Sequence, residues 1–312
     1  MEMRNKLLIM NRADPWVLRH TDGFYYFTAS VPEYDRIEIR KSDTLKGLET
    51  SSPKVVWVMH TDGLMSKHIW APELHNIEGK WYIYFAAGEK DSIWRIRPYV
   101  LECRGSDPLE GAWKECGMLR KVKDDPFSFT EFSLDATTFE HHDKRYLVWA
   151  QKVSGPAGIS NLYIAEMNDP FSLSTVQVML STPDYEWERQ GFWVNEGPAV
   201  IKRNGNIYIT FSASATDHHY CMGLLTASEQ DNLLAPNSWR KSVKPIFQSS
   251  EALKLFGPGH NCFTLSEDGS KDLMIYHARD YKEISGDPLY DPNRHARSAE
   301  VTWDVNRVTI DF

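Results

Sequence analysis

The stretch NEGPAVIKRNGNIYITFSAS, residues 195–214, contains a complete β-hairpin signal. Asn204-Gly205 predicts a tight two-residue turn between two segments that are rich in Val, Ile, Tyr and Phe. A hairpin of this kind should begin in apolar packing, yet Glu196 stands just ahead of its first strand. The position of this carboxylate needs an explanation, and the rest of the chain supplies one.

The same pattern occurs four more times along the chain. The other copies are DPWVLRHTDGFYYFTAS from Asp14, WAPELHNIEGKWYIYFAA from Trp70, LDATTFEHHDKRYLVWA from Leu134 and GHNCFTLSEDGSKDLMIYHA from Gly259. The predicted turns are Asp22-Gly23, Glu78-Gly79, Asp143-Lys144, Asn204-Gly205 and Asp268-Gly269. Further strand-like segments follow each hairpin, so each unit supplies about four antiparallel strands.

Five such units of roughly 60 residues account for residues 1–312 as a single domain. Four-stranded units that repeat without intervening helices are typical of a β-propeller. The predicted fold class is therefore all-β, a five-bladed β-propeller of four-stranded antiparallel blades. A long β-sandwich is the structural alternative, but it would not explain the repeated register.

Composition narrows the functional classes. The net charge is -8 and no basic stretch interleaves with aromatic residues, so we expect no nucleic-acid partner. No apolar run is long enough to span a membrane, and Leu7–Met10 is too short for a signal peptide. The four cysteines form no CxxC pair, which disfavours a zinc site. These features predict a cytoplasmic protein with free thiols and no membrane partner.

A common register places five residues at the centre of the propeller. Counting eight residues back from the first residue of each turn gives Asp14, Trp70, Asp135, Glu196 and His260. Each lies at the start of a first strand, which is the innermost strand of a propeller blade. One such carboxylate could simply cap a turn and face solvent. Three carboxylates at matched positions predict a site at one mouth of the central channel.

Converging carboxylates in a partly buried pocket cannot all ionise easily. Burial and like charges raise the pKa of at least one carboxyl group, while a nearby arginine lowers the pKa of another. One acid and one base result, which is the pair that glycoside hydrolysis requires. Phe, Trp and Tyr make up 12% of the chain. This aromatic content is typical of a β-rich core and also of a sugar-binding cleft, and both interpretations stay open.

Six short stretches, spread over all five units in order, resemble glycoside hydrolase family 43, the five-bladed propeller arabinofuranosidases, arabinanases and β-xylosidases. They are ADPWV at Asp14, WAPELH at Trp70, SLDATTF at Asp135, NEGPAV at Glu196, GPGHNCF at His260 and RHARSAEVTWD from Arg294. Each stretch alone is a weak signal, but together they cover almost the whole chain.

The resemblance implies an inverting mechanism and a role for each central residue. Asp14 would be the general base, Glu196 the general acid, and Asp135 would modulate the pKa of the acid and hold the sugar. His260 would lie on the channel axis, near a water or a structural calcium ion, and no other cofactor is expected. Inversion requires about 6.5 to 9.5 Å between the carboxyl groups of Asp14 and Glu196. Glu196 should be protonated at neutral pH, because burial and Asp135 raise its pKa.

The resemblance also implies an arginine from the RHAR segment that binds the sugar and Asp135. We expect Arg297 to take this role in preference to Arg294. Four aromatic residues would shape the pocket, although ordinary core packing is an alternative for all but the first. They are Trp70, Trp16, Phe192 and Trp193.

The segments WAPELH, YHAR and DPNRHAR are most similar to the exo-acting α-L-arabinofuranosidases. The predicted function is release of terminal α-L-arabinofuranose from arabinan or arabino-oligosaccharides. The expected partners are arabinose- or xylose-containing oligosaccharides. A β-xylosidase of the same family and a non-catalytic sugar-binding propeller are the alternatives. For ring closure, we expect residues 5–10 to pair with the fifth blade near NRVTIDF as an outer strand.

Overall fold

The computed structural model describes residues 6–153, 158–304 and 307–311. Their strands form five separate antiparallel sheets, arranged in a ring as a five-bladed β-propeller. The predicted fold class is confirmed. No α-helix occurs among these residues, and the short 3-10 helices are Lys46–Glu49, Glu186–Glu188, Pro236–Ser238 and Pro288–Tyr290. The single-domain organisation over residues 1–312 stays a prediction.

The strands follow the chain blade by blade. Blade 1 contains β2 (Ala13–Arg19), β3 (Tyr25–Ser30), β4 (Arg36–Ser42) and β5 (Lys54–Val58). Blade 2 contains β6 (Lys67–Ile77), β7 (Lys80–Glu89), β8 (Ser92–Cys103) and β9 (Trp113–Met118). Blade 3 contains β10 (Ser133–His141), β11 (Lys144–Lys152), β12 (Ser160–Asp169), β13 (Ser172–Leu173) and β14 (Val178–Ser181). Blade 4 contains β15 (Asn195–Arg203), β16 (Asn206–Ala213), β17 (Cys221–Ser228) and β18 (Arg240–Lys241). Blade 5 contains β19 (Phe256–Leu265), β20 (Asp272–Arg279), β21 (His295–Asp304), β22 (Arg307–Asp311) and β1 (Lys6–Ile9).

The first strand of every blade lies innermost. Strands β2, β6, β10, β15 and β19 each contact the next one around the ring, and β19 contacts β2. Five clusters of buried side chains fill the spaces between neighbouring blades. Trp81, for example, packs between blades 1 and 2, and Trp149 packs between blades 2 and 3. Much of the aromatic content is therefore core rather than cleft.

The hairpin turns of blades 2 and 4 match the predicted two-residue turns, whereas blades 1 and 5 have longer connections, residues 20–24 and 266–271, that contain the predicted turn residues. Asn204 and Gly205 have φ angles of 54° and 75°, the left-handed values that a type I′ hairpin turn requires. Glu78 and Gly79 show the same geometry. In blade 3 the turn residues are His142 and Asp143, because Lys144 already begins β11. The prediction there was one residue late.

The ring closes through blade 5, as predicted. Strand β1 pairs antiparallel with β21, with Lys6 opposite Ser298 and Ile9 opposite Ala296. Strand β22 pairs with the other half of β21, from Asp304 to Glu300. The two strands thus form the outer edge of blade 5 end to end, and the buried side chains of Leu8 and Ile9 join the core between blades 5 and 1.

Candidate active site

Each innermost strand carries a β-bulge at the same place, and β6 and β19 each have a second irregularity earlier in the strand. In the shared bulge two residues on the inner strand oppose one on its partner, as between Ala13 and Trp16 in blade 1 and between Glu196 and Ala199 in blade 4. The bulges of β6, β10 and β19 match these. A residue with positive φ lies inside each bulge. These residues are Asp14 (51°), Ala71 (45°), Asp135 (55°), Gly197 (54°) and His260 (45°). Bulges re-aim side chains and often occur next to active sites.

The bulges correct the register deduced from the sequence. Trp70 and Glu196 are not equivalent to Asp14, Asp135 and His260, because each precedes its bulge residue by one position. The count of eight failed because the hairpin turns differ in length and position. The side chain of Glu196 therefore extends from the residue before its bulge, whereas Asp14 and Asp135 are themselves the bulge residues.

All five bulges open into one cavity of about 410 Å³, which is within the size range of small-molecule sites, roughly 300–1,000 Å³. Seven of the ten predicted site residues line it: Asp14, Trp70, Asp135, Phe192, Glu196, His260 and Arg294. Trp16, Trp193 and Arg297 do not line it. The convergence of the three carboxyl groups is thus a feature of the structure.

Asp14 is surrounded by groups that stabilise its charge. Its Oδ2 accepts a hydrogen bond from Ser30 Oγ at 2.6 Å, and its Oδ1 lies 3.6 Å from Nη1 of Arg294 and 3.3 Å from Nδ1 of His260. Burial alone would raise the pKa of Asp14, but His260, Arg294 and His277 outweigh it and hold the pKa well below its usual range. Asp14 is therefore ionised at neutral pH.

Glu196 has the opposite tendency. Burial raises the pKa of Glu196 to about 7, and the negative charge of Asp14 adds to this rise. A hydrogen bond from Tyr220 Oη to Glu196 Oε1, 2.8 Å long, and the charges of Arg294 and Lys152 act in the other direction. The expected rise is present, with burial as its main cause, and the repulsion between Glu196 and Asp135 is expressed in the raised pKa of Asp135.

The backbone beside Glu196 is held by a buried polar network. Asn195 donates to Glu188 Oε1 at 3.0 Å and accepts from Ser181 Oγ at 2.6 Å. Glu188 is fully buried and pairs with Lys241 Nζ at 2.6 Å. The network links β14, the segment before β15 and β18, so it fixes the start of the strand that carries Glu196.

Asp135 is the most buried of the three carboxyl groups, with 4% of its surface exposed. Its Oδ2 accepts a hydrogen bond from the backbone N–H of Gly197 at 2.9 Å. Burial raises the pKa of Asp135 well above its usual value, and the nearby charges of Glu196 and Asp14 add to the effect. The negative charges of Asp135 and Glu196 repel each other, so protonation of one group favours ionisation of the other.

His260 lines the cavity beside two of the carboxyl groups, and its place on the channel axis stays a prediction. Its Nδ1 is 3.9 Å from Asp135 Oδ2 as well as 3.3 Å from Asp14, and burial lowers its pKa. Calcium takes six to eight oxygen ligands. The two carboxylates within 4 Å of His260, those of Asp14 and Asp135, offer at most four oxygen atoms, which is fewer than calcium requires without water. The predicted calcium ion gains no support from this set of donors and stays a prediction.

The preference for Arg297 over Arg294 is wrong. Arg294 lines the cavity, approaches Asp14 and donates to Tyr34 Oη at 2.6 Å. Arg297 instead pairs with Asp280 on the other side of the strand. The two positions are three apart in an extended segment, so their side chains point to opposite faces.

The predicted aromatic residues have different surroundings. Trp70 is buried at the cavity wall, where it stacks on His68 with ring centroids 4.5 Å apart. Phe192 lies at the cavity mouth and is 61% exposed. Trp16 belongs to the core, because its indole N–H binds Leu74 O and its ring packs against His75. Trp193 is 43% exposed and lies against Arg189 outside the cavity. The predicted pocket roles of Trp16 and Trp193 are therefore wrong.

Sequence reasoning missed several residues of the site. Ser30 and His277 occupy the second strands of their blades, opposite Ala13 and Gly259 respectively. His277 Nδ1 accepts the backbone N–H of Asp14 at 3.0 Å. The second strands of three blades end in the similar segments FTAS, FSAS and YHAR. This similarity indicates a shared role at the site, which the pattern of the first strands alone does not predict. Tyr220 lies in a loop outside the repeat, so no periodic pattern could have found it.

Comparison with known proteins agrees with this geometry. The model of the glycosyl hydrolases family 43 matches residues 3–307, so the chain belongs to this family and is a glycoside hydrolase. It is 54% identical over 281 residues to the extracellular exo-alpha-(1->5)-L-arabinofuranosidase of Streptomyces chartreusis, covering 90% of this chain and 84% of the relative. An enzyme of the same name from Streptomyces avermitilis is 50% identical, over 96% of this chain and 61% of the relative.

A solved structure supports the same assignment. The crystal structure of the alpha-L-arabinofuranosidase from Lactobacillus brevis superimposes with a TM-score of 0.91 at 51% identity, covering 98% of this chain and 94% of that one. The resemblance to family 43 that the sequence showed is confirmed. Among the residues that the structure describes, no helix is both long and apolar enough to cross a membrane.

The prediction of a cytoplasmic protein is wrong. Both Streptomyces relatives are named as extracellular enzymes, which points to a secreted protein. The prediction relied on the first residues and on unpaired cysteines. Residues 6–9 form a strand of blade 5, and the free cysteines Cys103, Cys221 and Cys262 are buried in the blades, so neither feature reports the compartment of the protein.

Proposed function

We propose that the protein is an inverting α-L-arabinofuranosidase that releases terminal arabinofuranose from arabinan or arabino-oligosaccharides. The names of relatives that are 50% or more identical support the substrate class. One observation carries the mechanism: a single cavity contains an ionised carboxylate, Asp14, and a carboxylic acid, Glu196, whose pKa is about 7. A carboxylate that is ionised can act as the base, and a neighbouring carboxyl group that keeps its proton can act as the acid.

Asp14 is the proposed general base. Its low pKa ensures that it is charged, and its contacts with Ser30 and Arg294 fix the direction of the carboxylate. In the proposed step, Asp14 accepts a proton from a water molecule while that water attacks the anomeric carbon. The bond from the anomeric carbon to the leaving oxygen breaks on the opposite face of the sugar.

Glu196 is the proposed general acid, which transfers its proton to the leaving oxygen. Its raised pKa means that the proton is present below about pH 7 and is lost above it. Activity on natural oligosaccharides should therefore fall as the pH rises through about 7. The acidic limb of the profile should lie far lower, because Asp14 must be protonated before the base is lost.

Asp135, Arg294 and Trp70 are the proposed sugar-binding residues. Because its pKa is raised, Asp135 retains a proton that it can donate to a sugar hydroxyl. The charge of the nearby Glu196 contributes to this rise. The indole N–H of Trp70 is buried and has no hydrogen-bond partner among the described residues. A buried donor without a partner is costly, and a hydroxyl group of the bound sugar would satisfy it.

Inversion predicts the stereochemistry of the first product. The carboxyl groups of Asp14 and Glu196 should be about 6.5 to 9.5 Å apart, which leaves room for the attacking water. Proton NMR of a fresh digest of an aryl α-L-arabinofuranoside should show β-arabinofuranose first, before mutarotation. If the α anomer forms first, the mechanism is retaining and the proposed roles of both carboxyl groups are wrong.

Replacement of the acid should depend on the leaving group. Glu196→Gln should slow hydrolysis of arabino-oligosaccharides by roughly 100- to 10,000-fold, the usual range for general acid catalysis. The loss should be much smaller on a dinitrophenyl arabinofuranoside, whose leaving group needs no proton, and the alkaline limb should disappear. Initial rates on both substrates measure this difference.

Asp14→Ala is the matched control, since it should damage both substrates alike because each needs an activated water. An equal loss on both substrates for Glu196→Gln would transfer the acid role to another carboxyl group. Parallel assays with nitrophenyl arabinofuranoside and nitrophenyl xyloside, followed by product analysis on arabino-oligosaccharides and xylobiose, separate the proposed function from that of a β-xylosidase.

A further inference from the structure

The loop between β16 and β17 places Tyr220 beside the proposed acid. We propose that Tyr220 is a positioning residue for Glu196: it determines which carboxyl oxygen carries the proton and stabilises the carboxylate that remains after transfer. This inference rests on the proposed function, because it assigns a role to Tyr220 only if Glu196 is the acid. It adds a residue that neither the sequence repeat nor the family resemblance pointed to.

The ring of Tyr220 is held against blade 5 by two contacts. Its side chain is 2% exposed, and its ring lies parallel to His277, with an angle of 6° and 5.6 Å between centroids. A Cβ added at Gly259, the residue paired with His277, would lie only 2.3 Å from Cε1 of Tyr220. The glycine in the GPGHN segment therefore makes space for this ring. A ring held so firmly can direct its hydroxyl to one atom.

That atom is Oε1 of Glu196, which accepts the Tyr220 hydroxyl at 2.8 Å. In a neutral carboxylic acid the carbonyl oxygen is the better acceptor, so the proton resides on Oε2. During the reaction the Oε2–H bond breaks and the proton binds the leaving glycosidic oxygen, while the carboxylate keeps the electron pair. Tyr220 retains its own proton throughout, and its hydrogen bond strengthens because the acceptor becomes charged.

The other groups around the pair act through charge. Asp14 and Asp135 face both Glu196 and Tyr220 from blades 1 and 3. Arg294 and Lys152 contribute positive charge near Glu196 from blades 5 and 3. His277 stays neutral, because burial lowers its pKa to about 3.

The phenol of Tyr220 remains a donor throughout the active range. Burial, followed by the charge of Glu196, raises its pKa well above the usual value. The Tyr220 hydroxyl therefore keeps its proton across the active range, so any change in the profile after its removal reports on Glu196.

Tyr220→Phe tests the inference because it removes one oxygen and keeps the ring. Without the hydrogen bond the carboxylate of Glu196 is less stable, so its pKa rises. The alkaline limb for arabino-oligosaccharides should move up by about one pH unit, and kcat should fall roughly tenfold, as expected for a hydrogen bond to a charged group. KM should change little, and the rate on a dinitrophenyl arabinofuranoside should be nearly that of the wild type.

Tyr25→Phe is the matched control. Tyr25 is also fully buried, and its hydroxyl donates to Leu265 O at 2.8 Å, far from the carboxyl groups. Its loss should lower Tm without moving the pH profile. Gly259→Ala provides a second variant that keeps the hydroxyl but displaces the ring, and it should move the alkaline limb in the same direction as Tyr220→Phe. If Tyr220→Phe fails to fold, this variant decides the question.

An unmoved alkaline limb in a folded Tyr220→Phe protein, or an equal loss on both substrates, would overturn the role of Tyr220. The Glu196→Gln variant, measured in parallel, separates this failure from a failure of the proposed function. If Glu196→Gln shows the leaving-group difference but Tyr220→Phe leaves the profile unchanged, only the inference about Tyr220 is wrong.

Discussion

Asp14 and Glu196 line the same cavity, yet their neighbours give them opposite charge states. Asp14 faces Arg294 and two histidines, so its charge is stabilised despite burial. Glu196 has one short hydrogen bond, from Tyr220, and burial dominates its pKa. At the scale of single residues, burial and the local donors set which carboxyl group is ionised and which keeps a proton, and this difference supports the proposed roles of base and acid.

The two arginines of the RHAR segment allow a matched test at this scale. Arg294→Gln should reduce kcat/KM by roughly 10- to 100-fold, because a charged partner of Asp14 is lost. The same change should raise the pKa of Asp14 and move the acidic limb of the pH profile upward. Arg297→Gln breaks an ion pair with Asp280 away from the cavity, so kcat/KM should change less than a few-fold. A larger loss for Arg297→Gln would show that the assignment of Arg294 is wrong.

At the scale of elements, the five bulges join the blades as well as aiming the side chains. The backbone N–H of a bulge residue often donates to a side chain of the preceding blade. Ala71 donates to Ser30 Oγ at 2.8 Å, and His260 donates to Ser212 Oγ at 2.7 Å. Gly197 donates in the same way to Asp135. The innermost strands β6, β15 and β19 are therefore each positioned by the preceding blade of the ring.

Two loops that line the cavity are also linked to each other. Arg279, the arginine of the YHAR segment, is buried and donates to Thr216 O at 2.8 Å and to Pro288 O at 2.7 Å. Thr216 and Leu289 are both cavity residues. Arg279 thus sets the distance between the blade 4 loop and the blade 5 loop without contacting the carboxyl groups. This gives a structural reason for an arginine in that segment.

At the scale of the whole molecule, the position of the site depends on closure of the ring. His277 of blade 5 accepts the N–H of Asp14 in blade 1, and Tyr25 and Arg19 of blade 1 bind carbonyl groups of blade 5. Strand β1 adds to this join by pairing with β21. Because Asp14 lies just after β1, loss of this strand should disturb the proposed base.

Deleting residues 1–10 should therefore lower Tm by several degrees, because two buried side chains and a strand pairing are lost. A paired substitution in β1 refines the test: Leu8 is 5% exposed and Leu7 is 38% exposed. Leu8→Ala should cost about 2–3 kcal/mol of unfolding free energy, whereas Leu7→Ala should cost much less. Equal melting temperatures for both variants, or an unchanged Tm for the deletion, would show that β1 does not lock the ring.

Much of the fold could be predicted because its signals are local. A turn such as Asn204-Gly205 specifies a hairpin through its own φ angles, and five repeats of that hairpin specify five blades. The three carboxyl groups could be identified because they recur near the start of the innermost strands. The count was still one residue off at Glu196, because it depended on where each turn begins, and the blade 3 turn begins at His142 rather than at Asp143.

The amino-acid sequence by itself determined the blade number, the family and the three residues Asp14, Asp135 and Glu196, because repeats and short motifs depend on neighbours along the chain. Only the tertiary structure decided that Arg294 rather than Arg297 faces the cavity, and that Trp16 packs in the core while Trp70 lines the cavity. Tyr220 and the pKa of Glu196 likewise follow from groups on different blades. The physical reason is that side-chain direction and electrostatic environment are set by contacts between blades, which are distant in sequence and meet only when the ring closes.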